Sequence, residues 1–500
     1  MIKKASSIES IGNGTEVASK GFEFQLTDWN RQERAAVELI SSIGTLLYAK
    51  SVELVLFRNH LVDISASEIL KLHEYAKVVV NKPIDIFTTS ELAKELLNIE
   101  DLVPAKIDIG RLSNEWLSEK NNFKNKYYFL VNKLTGIIGR ELNPLTPRDV
   151  VLFGFGRIGR LAAREIIKQA GKGQQLRLRA IVTRGNTDED IMKRAALLRL
   201  DSVHGPFKGN VAVDLPNKSM IINGHTVKML DGSQPQNINY EDYGIKNALL
   251  IDNTGAFRDR EKLSLHLKSK GIQKVLLTAP GKGDIPNIVY GVNHKNLEIE
   301  KETIFSAASC TTNAIVPVLK VIESQLSIEK GHIETVHAYT NDQNLLDNMH
   351  KKQRRGRSAA INMVITETGA GKAVTKAIPS LDGKLTANAV RVPTPNGSVA
   401  ILQLTVGRVT TKEEINSMLK KAALEGDLVN QIKFSFEEEL VSTDIIGDSC
   451  CSIFDSPATI VSKTGREIVL YVWYDNESGY TKQVMRLAKY ISKVSRLSYY

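Results

Sequence analysis

The stretch that most constrains this chain is an apolar run, Val150-Val151-Leu152-Phe153, delivered directly into Gly154-Phe155-Gly156-Arg157-Ile158-Gly159. A helical segment, Leu161 to Ala170, follows at once. Glycines at this spacing carry little information alone. Set between a strand and a helix, they form the phosphate-cradling turn of a dinucleotide-binding unit. Gly154 permits the tight turn, Gly156 lets the backbone approach a pyrophosphate, and Gly159 lets helix and strand pack closely. Phe155, Arg157 and Ile158 ride on the same turn. The helix N-terminus receives the negative charge. Further strand-like runs at 178–182, 248–252 and 274–277 alternate with helical segments, which predicts α/β architecture with a parallel, doubly wound sheet.

A second stretch carries reactive chemistry. Ser306-Ala307-Ala308-Ser309-Cys310-Thr311-Thr312-Asn313 runs into the apolar segment Ala314-Ile315-Val316-Pro317-Val318-Leu319, which predicts a loop entering a helix with Cys310 in its first turn. A thiol there sits near the positive end of the helix dipole, which favours the nucleophilic thiolate. Val336-His337-Ala338-Tyr339-Thr340 supplies a histidine 27 residues later as a candidate base. Singly, a cysteine is usually a small apolar core residue and a histidine a satisfied one. Together, at this spacing, they outweigh that reading.

Ser309-Cys310-Thr311-Thr312-Asn313 followed by Thr335-Val336-His337-Ala338-Tyr339-Thr340 resembles the glyceraldehyde-3-phosphate dehydrogenase family, and the similarity runs from about Asp149 to the last residues. The resemblance implies NAD(P), glyceraldehyde 3-phosphate and inorganic phosphate as ligands, no metal, and a homo-oligomer, a tetramer in the family. It implies Cys310 as nucleophile and His337 as base. Thr368-Gly369 resembles the loop that holds the attacking phosphate, joined by Thr311 and Ser309. Thr340, Asp342, Arg355 and Arg391 match residues around the phosphate sites, with Asp342 expected to orient Arg391. Arginine suits this task because its planar fork grips two phosphate oxygens. Thr254-Gly255 and Thr278 resemble loops lining the cofactor groove, and Asn476, in Tyr474-Asp475-Asn476-Glu477, resembles the amide that holds the nicotinamide carboxamide.

One departure bears on cofactor choice. Where an acidic residue closes the second strand in NAD-using members, this chain has Thr183-Arg184, and Gly185-Asn186-Thr187 intervene before Asp188. Arg184 therefore predicts that NADP is accepted. Two alternatives to the reaction stay open: a hydrolysing erythrose-4-phosphate dehydrogenase of the same family, and a non-catalytic scaffold or nucleic-acid-binding protein on this fold.

Five hundred residues exceed one core, so several domains are expected. The reading is a mostly α extension over 1–145, a Rossmann domain over 148–309 completed by a helix at 478–500, and an α+β catalytic domain over 310–477. Within the extension, the first twenty residues read as frayed, and Ala36, Leu39, Ile40, Ile43, Leu46 and Leu47 share one face of a helix starting near Asp28. Ser65–Glu68 and Thr88–Glu91 read as capping boxes. The extension holds His60 and His73 but no legible chemistry, which favours a structural or assembly role. Asn143-Pro144-Leu145-Thr146-Pro147 is the expected linker.

Three cysteines make no disulfide framework and point to a reducing, cytoplasmic setting; Cys450-Cys451 reads as structural. No apolar run reaches ~18 residues, so no membrane span is expected. The formal charge of +10 comes without a basic tract or aromatic platform, which favours phosphorylated small molecules over nucleic acid.

Overall fold

The computed structural model describes residues 21–500 apart from 79, 140–144 and 172. The expected frayed lead-in, and Asn143 and Pro144 of the expected linker, lie outside those residues. The chain forms two units: one joins the residues before 143 to Leu497–Tyr500, and the other is Asn143–Arg496. Among the described residues, no helix is long and apolar enough to cross a membrane.

In the first unit the opening helix spans Phe22–Thr45, starting six residues before Asp28, and buries Ala36, Leu39 and Ile43. Ser65 and Glu68 form the expected reciprocal cap of the helix Ala66–Val78, with Ser65 N donating to Glu68 Oε2 at 2.7 Å and Glu68 N to Ser65 Oγ at 3.2 Å. The Thr88 box does not form. Asp85 caps the helix Ile86–Leu97 by accepting from Thr88 N at 2.8 Å, because a carboxylate upstream starts the helix sooner. Helices Ile109–Glu119 and Lys126–Lys133 complete the set.

The extension is not helical alone. A four-stranded sheet runs in the order Asn59–His60, Glu53–Leu56, Ala105–Asp108, Leu497–Tyr499. The first pairing is antiparallel and the other two are parallel. The expected helix over 478–500 is accordingly shorter. It ends at Ile491, Lys493 takes a left-handed φ of 55°, and the final residues become a strand.

The second unit holds two eight-stranded sheets. In the first, Ile304–Ser306, Ile272–Leu277, Ala248–Asp252, Arg148–Phe153, Leu176–Thr183 and His225–Asp231 are parallel neighbours in that order; Ser219–Ile222 and Val211–Asp214 extend it antiparallel. The helix Arg157–Lys168 and the helix Ser478–Ile491 bury Ala162, Ile166, Val484 and Leu487 against Val150, Leu152 and Leu178. Strand Arg148–Phe153 is the point where the order reverses, the expected ligand crevice of a doubly wound sheet.

The second sheet is mixed. Ile328–Ala338 pairs parallel with Leu385–Val392 and antiparallel with Ser398–Val406, which pairs in turn with Glu467–Tyr474. The helix Cys310–Leu326 packs its apolar residues, Ile315, Val318, Leu319 and Ile322, against this sheet. Its first residue faces both cores.

Candidate active site

The helix Cys310–Leu326 begins at the cysteine itself. Ser309 is the N-cap, its Oγ accepting from Thr312 N at 3.0 Å. Asn313 Nδ2 ties the preceding loop by donating to Ala307 O at 2.8 Å and Ser309 O at 2.9 Å. Between them Ala308 holds a left-handed φ of 55°, its carbonyl accepting from the Tyr480 hydroxyl at 2.9 Å.

His337 lies near the end of strand Ile328–Ala338, with Nε2 4.0 Å from Cys310 Sγ. Nδ1 lies between Ala338 O, an acceptor at 2.7 Å, and Arg391 Nη1, a donor at 2.9 Å; in the tautomer protonated at Nδ1, the Nε2 lone pair is turned to the thiol. Asn476 Nδ2 reaches Nε2 at 3.3 Å. The amide is held in that sense by Ser398, whose Oγ accepts from Ala338 N and donates to Asn476 Oδ1 at 2.7 Å.

Burial governs both reactive groups. It pushes the Cys310 thiol up, although the thiol keeps part of its surface open; Arg391, Thr311 and Asn476 pull the other way. Burial also drives His337 down to about 3, helped by the charges of Arg391 and Arg355. Burial thus works against the charged form of both groups, the thiolate and the imidazolium, and against the helix-end thiolate expected above, while Arg391 favours the thiolate.

Arg391 Nη1 donates to Ala338 O at 2.9 Å and lies 2.9 Å from His337 Nδ1 and 3.4 Å from Thr340 Oγ1. Its Nε is buried without a hydrogen-bond partner among the described residues. The expected Asp342–Arg391 contact does not form. Asp342 instead pairs with Arg355 Nη1 and accepts from Thr340, while Arg355 Nε donates to Thr366 Oγ1 at 3.1 Å. Arg355 therefore carries its charge compensated, while the charge of Arg391 acts on both Cys310 and His337.

Thr368 and Gly369, at the start of the helix Ala370–Ala377, line a cleft of about 1000 Å³ with Arg355, Lys351, Lys352 and Lys372. Arg354 lines it too. Thr311 Oγ1 lies 3.0 Å from the Tyr474 hydroxyl, and the Ser309 hydroxyl is committed to its cap and to Thr312 at 2.7 Å.

The glycine turn fits a dinucleotide. Gly154 has φ +91°, and a Cβ there would meet Thr254 Cγ2 at 2.8 Å. A Cβ on Gly159 would meet Gly154 O at 2.4 Å. One on Gly156, the helix N-cap, would meet nothing within 4 Å, so that backbone faces open space. Phe155 is buried behind the turn and Ile158 packs against the same core. Thr254 and Thr278 fasten the facing strand ends, Thr254 to Asp252 Oδ1 and Thr278 to Asp252 O, with Gly255 left-handed at φ +62°.

Arg184 is exposed at the end of the second strand, its carbonyl accepting from Arg194 Nη2 at 3.1 Å. An acid does lie nearby, supplied by another strand: Asp231 Oδ1 accepts from Gly185 N at 3.2 Å. No local sequence signal could reveal that pairing.

Sequence reasoning also missed the framework behind Asn476. Asp475 Oδ1 accepts from Asn396 Nδ2, Glu477 N and Ser478 N, and Asn396 Oδ1 accepts from Asn476 N at 3.0 Å. Glu477 takes both branches of Arg157 and lies 3.0 Å from His204 Nε2. Cys451 donates to Asn313 O at 3.1 Å, and burial pushes the Cys450 and Cys451 thiols up to about 11 and about 12, as suits inert core groups.

Comparison with known proteins agrees with this arrangement. The family model for the glyceraldehyde 3-phosphate dehydrogenase NAD binding domain matches residues 148–260, and that for its C-terminal domain residues 309–476. The glyceraldehyde-3-phosphate dehydrogenase of Clostridium pasteurianum is 40% identical over 352 residues, 69% of this chain and 99% of its own length. Glyceraldehyde-3-phosphate dehydrogenase 1 of Bacillus subtilis (strain 168) is 39% identical over 340 residues, 68% and 97% of the respective chains. A glyceraldehyde-3-phosphate dehydrogenase-like protein of Pseudomonas aeruginosa (strain UCBPP-PA14) is 46% identical over 460 residues, 91% of this chain and 99% of its own. That last span is longer than residues 143–496, so the likeness reaches into the first unit. With a thiol and an imidazole at the end of a dinucleotide crevice, and relatives of this kind along most of its length, the chain belongs to the glyceraldehyde-3-phosphate dehydrogenase family of oxidoreductases.

Proposed function

We propose that the protein catalyses the phosphorylating oxidation of glyceraldehyde 3-phosphate to 1,3-bisphosphoglycerate, with NAD(P) as hydride acceptor. The observation that carries this reading is Cys310 Sγ within 4.0 Å of His337 Nε2, at a helix start and under the charge of Arg391. As the Cys310 sulfur attacks the aldehyde carbon, the C=O π bond breaks, the S–C bond of a thiohemiacetal forms, and the thiol proton passes through His337 Nε2 to the carbonyl oxygen. His337 Nε2 then takes the hydroxyl proton as hydride leaves the same carbon, giving a thioester. NAD(P), when bound at Gly154–Gly159, supplies the acceptor for that hydride. Thr254, Gly255, Thr278 and Asn476 would hold it beside the turn, Asn476 by the nicotinamide carboxamide. A phosphate oxygen attacks the thioester, the S–C bond breaks, and the leaving sulfur takes back the proton held at His337 Nε2, restoring the thiol and the neutral imidazole.

The buried Arg391 Nε supports a phosphate site, since an orphaned guanidinium N–H is costly unless a ligand meets it. Thr311, Thr368 and Gly369 would share the attacking phosphate, and Thr340 and Arg355 the substrate's own. Self-association into a tetramer is part of the same reading. It is supported by the exposed Leu345, Leu346, Met349, Ile361 and Met363, a run of apolar surface suited to a second copy. The test is turnover of glyceraldehyde 3-phosphate with and without phosphate or arsenate, alongside erythrose 4-phosphate. Dependence on the anion supports the proposal. Equal rates without it would favour water as the attacking group.

A further inference from the structure

The first unit contains a recognition site that the dehydrogenase reading does not use. Strand Leu497–Tyr499 pairs parallel with Ala105–Asp108, and it follows the other strands of that sheet by almost four hundred residues. Its side chains are met by a built arrangement. Arg58 stacks on the Tyr500 ring, 4.1 Å from its centroid, and Arg111 on the Tyr499 ring at 4.8 Å. The Tyr499 hydroxyl donates to Glu115 Oε2, and the other oxygen of that carboxylate accepts from Arg111 Nε at 2.7 Å.

Both arginines are positioned by one buried carboxylate. Asp108 accepts from Phe57 N at 2.8 Å, Arg58 N at 3.1 Å and Arg111 N at 3.1 Å, and lies 3.6 Å from Arg58 Nε. It thereby caps the helix Ile109–Glu119 that carries Arg111. It also holds the turn that carries Arg58, where Phe57 and Arg58 take left-handed φ of 42° and 73°. Neither residue is a glycine, so the turn is strained at two consecutive positions. Gly110 lets the turn sit close, since a Cβ there would meet the Phe57 ring at 2.9 Å. Strain held in place by a buried carboxylate, and ending in an arginine stacked on a ring, marks a site shaped for its occupant.

We propose that the first unit is a strand-capture module whose ligand is Leu497-Ser498-Tyr499-Tyr500 of the same chain, read by sheet pairing and by Arg58 and Arg111 on its two tyrosines. Backbone pairing supplies affinity and the rings supply selectivity, as in other recognition by strand addition. The proposal stands independently of the reaction assigned above.

The experiment uses the chain lacking residues 497–500 and a fluorescent peptide of residues 495–500, followed by anisotropy. The peptide should bind, and replacing both tyrosines by alanine should abolish binding. Arg58→Ala or Arg111→Ala should weaken it roughly three- to thirtyfold. The full-length chain, with the place already filled, should not bind. Equal binding by full-length chain, or by the alanine peptide, would overturn the proposal, as would no binding to a shortened chain that remains folded. If the shortened chain does not fold, hydrogen exchange in the full-length chain decides. Tyr499→Ala with Tyr500→Ala should speed exchange at residues 105–108 and leave 148–153 unchanged; unchanged exchange at 105–108 would overturn it.

Discussion

Arg157, inside the glycine turn, grips both carboxylate oxygens of Glu477, the residue directly after Asn476. The turn that approaches a pyrophosphate is thereby fastened to the loop that carries the candidate nicotinamide amide. His204 Nε2, 3.0 Å from Glu477, and Asn396, bonded to Asp475 and to Asn476 N, close the same loop from other sides. Glu477 has no hydrogen bond to the Cys310 thiol or the His337 imidazole, so its role is positioning.

Replacing Glu477 by Gln should therefore separate binding geometry from thiol chemistry. A charge-assisted bidentate pair is worth about 1.5–3 kcal/mol, or roughly ten- to a hundredfold in kcat/KM for the cofactor. Iodoacetamide should still inactivate the variant at the wild-type rate, because Cys310 keeps its neighbours. Parallel loss of both would show that Glu477 acts on the thiol.

Arg391 lowers both reactive groups, favouring the Cys310 thiolate and disfavouring the His337 imidazolium. In Arg391→Gln the alkylation profile of Cys310 should move to higher pH while the histidine titrates at higher pH than before. An alkylation profile that stays in place would mean that the guanidinium is screened from the sulfur.

The pH dependence of stability has a defined sign. His337 falls from about 6.5 unfolded to about 3 folded, so the unfolded chain binds the extra proton between those values. The contribution is fully present above pH 6.5 and is lost as pH falls toward 3, by up to ~1.4 kcal/mol per pH unit. Urea unfolding at pH 7.5 and 5 should give a larger drop for wild type than for His337→Gln. Equal drops would place the imidazole in a wetter setting.

The glycine turn offers a contrast within three residues. Gly159→Ala drives a Cβ into Gly154 O at 2.4 Å and should lower the melting temperature by several degrees, along with cofactor affinity. Gly156→Ala meets no protein atom, so folding should survive while dinucleotide binding weakens. Thermal melts with titration of NAD and NADP check both. An unaltered affinity in Gly156→Ala would mean that the backbone there does not approach the ligand.

What was legible in the sequence was local. The strand-to-helix glycine turn, the loop-to-helix entry at Cys310 and the Ser65–Glu68 box each depend on residues within a few positions. The missed features depend on distant pairing. Ala105–Asp108 is four residues long, holds a lysine, and becomes a strand only between Glu53–Leu56 and Leu497–Tyr499. Asn396 and His204 have no periodicity or spacing that points to Asp475 and Glu477. Asp342 pairs directly with Arg355, which Thr366 also holds, and reaches the expected Arg391 only through Thr340, a relay that no local spacing shows.

Cofactor choice turns on two side chains at neighbouring strand ends. Arg184 follows strand Leu176–Thr183 and is exposed. Asp231, at the end of the adjacent strand His225–Asp231, pairs with Thr183 and holds Gly185 N at 3.2 Å. A guanidinium there attracts a 2′-phosphate and a carboxylate repels it, so the chain should accept both cofactors, with the balance set by this pair. Arg184→Asp should cost NADP far more than NAD in kcat/KM, since attraction becomes like-charge repulsion. Asp231→Asn should do the reverse, raising NADP relative to NAD while keeping the hydrogen bond from Gly185. Measuring both cofactors in both variants decides the matter. If the two substitutions shift NAD and NADP in parallel, neither side chain reads the ribose, and selectivity lies elsewhere in the groove.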